Sequence, residues 1–446
     1  MPNKHSKRRK AIIRRRIFVS VCVIVLALII LGISLIVKSI IKSTKNEEKK
    51  EITSSQTSSA KSKEPYIVST AKVVNTGDII VHSTVLDGAK TADGYDFSAF
   101  FPNVKKYFND ADLAVANLEV TFGGTESGKY SGYPAFNTPD SLADVIKNSG
   151  INFLLTANNH CYDTGMFGLK RTAQVLKSKN MEFIGTKETE NDPAYVVKKV
   201  NGIKIGMTCY TYENSCDVAG RKSINGAIIS TEANGLLNSF SYDYIDKFYT
   251  EAQKTVSLMK KDGADCIVFY MHWGEEYQLN QNTWQKTIAQ KLCNLGVDVI
   301  VGGHPHVVQP IELLHSEDSQ NTSVCIYSMG NAISNQRKEL MSPECTTGHT
   351  EDGMLFYYTF DKYSDGTTVL SSVDIIPTWV NKYKGGSGYQ YTMIPLENAT
   401  DGASLYGLTG DSASRCQKSY ERTKQIVMTG LTQCQTALGS KIRFTD

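Results

Sequence analysis

Five of the chain's eight histidines, His82, His160, His272, His304 and His306, each follow an apolar run of strand length. In layered α/β proteins that strand edge is where loops converge and ligands bind. One histidine there is more often structural than functional, but five such placements are hard to ascribe to packing. Two of them share the turn in "VIVGGHPHVV": the glycine pair lets the backbone turn closely, and Pro305 stiffens the spacer between His304 and His306. Carboxylates and amides occupy equivalent positions. "NTGDII" supplies Asp78, "VANLEV" supplies Asn117 and Glu119, "TANNHCYD" supplies Asn158, Asn159, His160 and Asp163, and "YMHWGEEY" supplies His272, Glu275 and Glu276. Imidazole with carboxylate and amide oxygen suits manganese, zinc or iron better than calcium or magnesium. The lack of a cysteine pair at these positions argues against a structural zinc finger.

Plainer readings exist for single motifs. Asn158 and Asn159 alone would read as a turn-forming pair. Glu275 and Glu276 read as a solvated loop or as partners that orient His272. In "SMGNAISNQR", Asn331, Asn335 and Gln336 either line a pocket or satisfy their own loop, and His315 and His349 sit in polar loop sequence.

The elements that must position these residues alternate between strand-length apolar runs and amphipathic windows, which argues for α/β layers with helices covering a central sheet arrangement. "AKVVNTGDIIVH", "DLAVANLEV", "INFLLTANNH", "DCIVFYMHWG" and "VDVIVGG" read as strands. "FSAFFPNVKKYFNDA", "PDSLADVIKNSG", "GMFGLKRTAQVLKSKN", "YDYIDKFYTEAQKTVSLMKKDG" and "NTWQKTIAQKLCNLG" read as helices. The second is opened by a proline and an acidic cap, and Trp284, Ile288 and Leu292 give the last a single apolar face. Asn201-Gly202 between two β-rich runs is a hairpin signal. Past residue 320 the pattern turns to strands, residues 411–440 read as a polar helix, and residues 213–235 fit no core period and read as an excursion near the site.

Composition is ordinary for a globular protein, with 41% apolar residues and a net charge of +3. Eight Lys or Arg and no acid fall in the first sixteen residues, so the body is mildly acidic and gives no argument for nucleic-acid binding. "IFVSVCVIVLALIILGISLIV", Ile17 to Val37, is long enough to span the hydrocarbon core and predicts a single transmembrane helix. The basic stub, residues 1–16, should stay cytoplasmic and the main domain should be extracellular. Residues 38–66 read as a flexible tether, residues 67–380 as the main domain and residues 381–446 as a partly helical extension. Cys161, Cys209, Cys266, Cys293 and Cys325 fall in or beside apolar runs and read as core residues, while Cys416 and Cys434 could pair.

Six motifs in order, "NTGDI", "ANLEVTF", "TANNHCYDTGMFGL", "MHWGEEY", "GGHPHVVQP" and "IYSMGNAISNQ", resemble the poly-γ-glutamate capsule protein family of CapA type, within the calcineurin-like metallophosphoesterase superfamily. The resemblance spans roughly residues 70–380. It implies a metallophosphatase-like layered αββα sandwich and a site for two divalent metals. Carried over by position, Asp78 and His306 would serve the first metal, and Asn159, His272 and His304 the second. Glu119 would bridge them and His160 would be the general acid. His82, Asn117, Asn158, Asp163, Glu275 and Asn331 would surround them in the pocket. Two departures stand out: Ile80 replaces the histidine of the usual Asp-x-His motif, and the bridging position reads Asn-Leu-Glu rather than Gly-Asp.

The expected function is a membrane-anchored factor for synthesis or export of a capsule polymer, working with other membrane subunits and an anionic polymer. The alternative is a metal-dependent phosphoesterase acting on a cell-surface or lipid-linked phosphate ester.

Overall fold

The computed structural model describes residues 64–386, 388–398 and 401–444. The stretch expected to span a membrane, with its basic stub and nearly all of the tether, lies outside them. Among the described residues no helix is long and apolar enough to cross a membrane.

Pro65–Asp446 forms one compact mixed α/β unit built on two sheets. The first sheet centres on β1 (Ile67–Ile79), which pairs in parallel with β2 (Leu113–Leu118); β3 (Phe153–Leu155) and β4 (Glu182–Ile184) continue in parallel beyond it. The second contains β5 (Val196–Val200), β6 (Ile203–Glu213), β7 (Ser239–Ser241), β8 (Cys266–His272), β9 (Val299–Gly303), β10 (Ile311–His315) and β11 (Thr322–Ile326). Strands β6, β8, β9 and β11 run parallel, so their C-terminal ends share one edge. The short β12 (Asn331–Ile333) returns to pair with the end of β1. Then β13 (Asp352–Tyr363), β14 (Thr368–Gly385) and β15 (Gly388–Pro395) extend the first sheet on the other side of β1, antiparallel. The expected boundary at residue 380 therefore falls inside a strand.

Alternating side chains divide the apolar residues into three layers. Val73, Val115, Phe356 and Tyr358 of the first sheet pack with Ile205, Met207, Val268 and Val301 of the second in one shared core. Tyr270 Oη adds a buried link across it, 3.1 Å from Asn75 Oδ1 and 3.0 Å from Tyr358 Oη. The outer face of the first sheet is covered by α1 (Ser141–Asn148) and α2 (Gly165–Ser178) through Leu142, Ile146 and Leu176. The outer face of the second is covered by α3 (Ile245–Lys261) and α4 (Thr283–Asn294) through Phe248, Val256, Ile288 and Leu292. Fully burying one such aliphatic side chain contributes about 1.5–3 kcal/mol. The order helix, sheet, sheet, helix follows from those faces.

Several local expectations change in detail. Asp140 stands at the N-cap of α1 but makes no capping bond; its carboxylate instead grips Arg171 at 2.8 and 2.9 Å. The start of α4 is closed by a capping box between Asn282 and Gln285. Trp284 is 42% exposed with its ring tilted against Tyr242 at 5.5 Å, so only Ile288 and Leu292 of that expected stripe are buried. The window around "FFPNVKKYF" is helical only over Lys105–Asn109. Asn201 and Gly202 do make the β5–β6 hairpin, both with positive φ.

The C-terminal helix α5 (Gly410–Ala437) inserts Val427, Leu431 and Cys434 into the shared core. Its Gly430 lies so close to Ile311 that an added Cβ would meet the Ile311 carbonyl oxygen at 1.7 Å. Cys416 and Cys434 sit on this one helix, about 27 Å apart at the rise per residue, and cannot pair. All nine cysteines among the described residues are free, and eight are buried.

Candidate metal centre

The C-terminal ends of β1, β2, β8 and β9, with the loop after β3, meet at the edge where the two sheets face each other. Asp78, Asn117, Glu119, Asn159, His160, His272, His304 and His306 are all buried there, none more than 5% exposed. Two glycines permit the approach. A Cβ on Gly77 would lie 1.9 Å from the Gly330 carbonyl oxygen, and one on Gly302 would lie 1.9 Å from that of Tyr327. The expected close turn at Gly302-Gly303 thus reflects space, whereas the unusual backbone falls on the histidines: His304 has φ 97° and His306 φ 56°. Non-glycine residues are held in that region only where surrounding structure over-determines them, and such positions cluster at functional sites.

Asp78 and Glu119 organise the centre. Asn117 Nδ2 donates to Asp78 Oδ1 at 2.8 Å and to Glu119 Oε2 at 3.2 Å. His306 Nδ1 is 3.1 Å from Asp78 Oδ2, and His272 Nε2 is 2.8 Å from Asn159 Oδ1. Glu119 Oε1 lies 3.4 Å from His272 Nε2 and 3.8 Å from His306 Nε2, yet accepts no hydrogen bond. Two groups could each hold a cation: Glu119 with His304 and His306, and Asp78 with Glu119 and His272. Glu119 is common to both, the position the resemblance assigned to a bridging carboxylate. The expected division placed Asp78 with His306, which are in contact, and Asn159 with His272 and His304, of which Asn159 and His272 are in contact and the two imidazole rings lie 4.9 Å apart.

Burial and neighbouring charge act differently on the members of the cluster. Burial opposes ionisation of Asp78, but the His306 hydrogen bond and charge, His272 and Asn117 together bring its carboxyl below the ordinary value. Burial also works against charging His306, yet Glu119 and Asp78 outweigh it and raise the ring to about 9. Burial, then His272, His306 and His160, push His304 well below its usual value, so it is a neutral imidazole with a buried Nδ1 that has no partner. An unpaired carboxylate oxygen and an unpaired imidazole nitrogen in one buried cluster fit a divalent metal, because an unsatisfied buried polar atom otherwise costs about 1–3 kcal/mol.

His160 stands beside this group. Its Nδ1 is 2.8 Å from Asp163 Oδ2, which also accepts from the Phe136 backbone N–H at 2.6 Å, so Nε2 is the atom left for a ligand. A cavity of about 300 Å³ adjoins it, bordered by His82, His160, Glu276 and His306 among others. The remaining expected pocket residues do other work. Asn158 fastens the loop by donating to Asn117 Oδ1 at 3.1 Å and to the Leu118 carbonyl at 2.8 Å. Asn331 holds the histidine turn from behind, donating to the His306 carbonyl at 3.2 Å. Glu275 points to solvent and accepts from Asn282, and it is Glu276 that borders the cavity. The excursion at 213–235 brings Asn225 Nδ2 within 3.5 Å of His160 Nδ1. Phe136, with its ring 4.6 Å from His160, and Tyr212, 4.8 Å from His304, carried no sequence signal beyond aromaticity.

The sequence model of the family described as "Bacterial capsule synthesis protein PGA_cap" matches residues 72–336, which includes every residue of this centre. The chain belongs to that family. It is 26% identical over 343 residues to the PGA biosynthesis protein CapA of Bacillus subtilis (strain 168), covering 76% of this chain and 80% of that one. The capsule biosynthesis protein CapA of Bacillus anthracis is 27% identical over 305 residues, covering 68% of this chain and 65% of that one. A solved structure of a Thermus thermophilus protein, TT1561, aligns with a TM-score of 0.33 at 9% identity, over 64% of this chain and 93% of that one. That likeness is too slight to bear on the argument.

Proposed function

We propose that this chain acts in the synthesis or export of a capsule polymer, poly-γ-glutamate being the polymer its relatives point to. Family membership supports the capsule role, and Ile17–Val37 supports a single-pass anchor with the domain outside the cell membrane, beside other membrane subunits. The centre is read as a metallophosphatase-like site for one or two divalent ions, manganese, zinc or iron. The observation that carries this is Glu119 Oε1, buried between two imidazoles without a hydrogen bond and shared by both possible ligand groups.

Asp78, Glu119, Asn159, His272, His304 and His306 would hold the ions. Bound divalent cations would supply Lewis-acid stabilisation of negative charge on a carbonyl or phosphoryl oxygen. The chain's own contribution is clear. Asn117 fixes both carboxylates, and the left-handed turn aims the His304 and His306 rings. Asp163 holds the His160 ring so that Nε2 can deliver or take a proton at the cavity.

A second reading, hydrolysis of a phosphate ester, is favoured by that His160–Asp163 pair, since a binding site needs no oriented proton carrier. The two readings separate in a capsule-deficient host. Glu119→Ala should abolish both metal uptake and capsule formation. His160→Ala should retain metal; if turnover is essential it should lose capsule and at least 100-fold of hydrolysis, and if only binding matters it should support capsule normally. Full capsule formation by a metal-free Glu119→Ala protein would sink the metal reading.

A further inference from the structure

His82 is the one imidazole of the five that belongs to neither metal-holding group nor the His160–Asp163 pair. It follows β1 on the cavity wall, edge-on to Phe136 at 5.5 Å, and Phe136 in turn meets His160. The backbone N–H of Asn335 donates to His82 Nδ1 at 3.2 Å. That nitrogen must therefore carry a lone pair, and the proton of the neutral ring sits on Nε2. Asn335 is itself fixed, since its side-chain oxygen accepts from Lys382 Nζ at 3.0 Å and Tyr391 Oη at 2.6 Å. Burial first, then the charges of His306 and His160, keep the ring neutral by lowering it to about 3. The wall around it carries Tyr133, Phe136, Tyr277, Leu340 and Met341, and among the described residues neither lysine nor arginine borders the cavity.

We propose that His82 is a ligand-binding residue whose fixed Nε2–H donates to a phosphoryl or amide-carbonyl oxygen of the substrate, while an uncharged part of that substrate packs on the aromatic wall. The inference rests on the reading of the adjoining cluster as a metal centre. An anionic group would be met at the ions, and Glu276 on the same wall disfavours a second one, so an uncharged body beside an oxygen acceptor fits the aromatic part of the cavity.

The test uses the full-length chain loaded with manganese and two probes that each carry an uncharged ring, phenyl phosphate and γ-glutamylanilide, titrated by calorimetry. His82→Phe keeps a ring without a donor and should weaken binding of the accepted probe about 10–100-fold, the range for one hydrogen bond near a charged centre. His82→Gln should recover part of that loss, and bound manganese should be unchanged in both. Loss confined to phenyl phosphate assigns the phosphoryl oxygen, and loss confined to the anilide assigns the amide. Long-range proton–nitrogen correlation spectra of the wild-type ring should show the Nε2–H tautomer throughout pH 5–8. Equal affinity of wild type and His82→Phe, no binding of either probe by manganese-loaded wild type, or an Nδ1–H ring overturns the proposal alone. Wild-type protein that takes up no manganese overturns the reading of the centre, and the proposal with it.

Discussion

Two clusters of buried charge lie in this domain, and they are finished differently. Around Glu351, which is 1% exposed at its side chain, cations are supplied from within. Arg337 Nη2 donates to it at 2.7 Å, Arg415 grips both of its oxygens, and Trp379 Nε1 and the Lys338 backbone N–H add bonds at 3.1 Å. Next to it Arg422 holds Asp352 with two bonds of 2.6 Å. Around Glu119 no lysine or arginine ion pair is seen among the described residues; the pairs there are to His272 and His306 only, and one carboxylate oxygen goes without a hydrogen bond. Both clusters bear the desolvation cost of buried carboxylates. The first is closed with the chain's own guanidinium groups, two of them from α5. The second has no such partner among the described residues, which is the basis for proposing a cation there. Burial alone therefore leaves the two clusters alike; what sets them apart is which cationic side chains reach the carboxylates.

Removing the central acid of the closed cluster should have the largest effect on stability. Glu351→Ala leaves Arg337 and Arg415 without their shared partner, and the cost should be about 3–5 kcal/mol, read as a lower midpoint in urea. The open cluster should behave differently. Glu119→Gln should change the stability of the metal-free protein far less than Glu351→Ala does, because the charge it removes is paired only with imidazoles and one amide. Its main deficit should appear on adding metal. Manganese at about 100 times its dissociation constant should stabilise wild type by about 2.7 kcal/mol and Glu119→Gln hardly at all. Equal stabilisation of the two proteins would show that manganese binds elsewhere.

Much of the open cluster was legible because its chemistry is tied to strand ends. Asp78, Asn117, His272 and Glu119 lie at or just past the ends of strands whose apolar runs are plain in the sequence, and parallel pairing brings those ends to one edge. The closed cluster was illegible. Arg337, Glu351 and Arg415 are spread along the chain and look like ordinary surface charges until β13, β14 and α5 bring them together. Pairing of Cys416 with Cys434 failed for the reverse reason: two polar-region cysteines are compatible with a bridge until one helix holds them apart. Trp284 misled because a four-residue apolar period sets a direction around the helix but not where the covering layer ends.

Asp298 supplies a third way of meeting the same cost, and the smallest of the expected effects. It is partly buried just before β9 and accepts from the Ile267 backbone N–H at 2.7 Å; among the described residues it belongs to neither metal-holding group. Burial raises its carboxyl to about 6, with the Ile267 bond and Lys260 pulling weakly the other way. Below about pH 6 the proton itself neutralises this site. Because the folded chain holds that proton to higher pH than the unfolded chain does, the stability it contributes is complete below about pH 4 and is lost as pH rises through 6. Asp298→Asn keeps an oxygen for Ile267 but cannot ionise. It should remove this part of the slope between pH 4 and 6 and leave the protein about 1–2 kcal/mol more stable than wild type above pH 7, after allowance for partial solvent screening. Urea midpoints at pH 4.5 and 7.5 for the two proteins would measure it. Parallel pH profiles for wild type and Asp298→Asn would mean that Asp298 is ionised in the fold throughout this range, with the Ile267 bond and Lys260 enough to hold its charge.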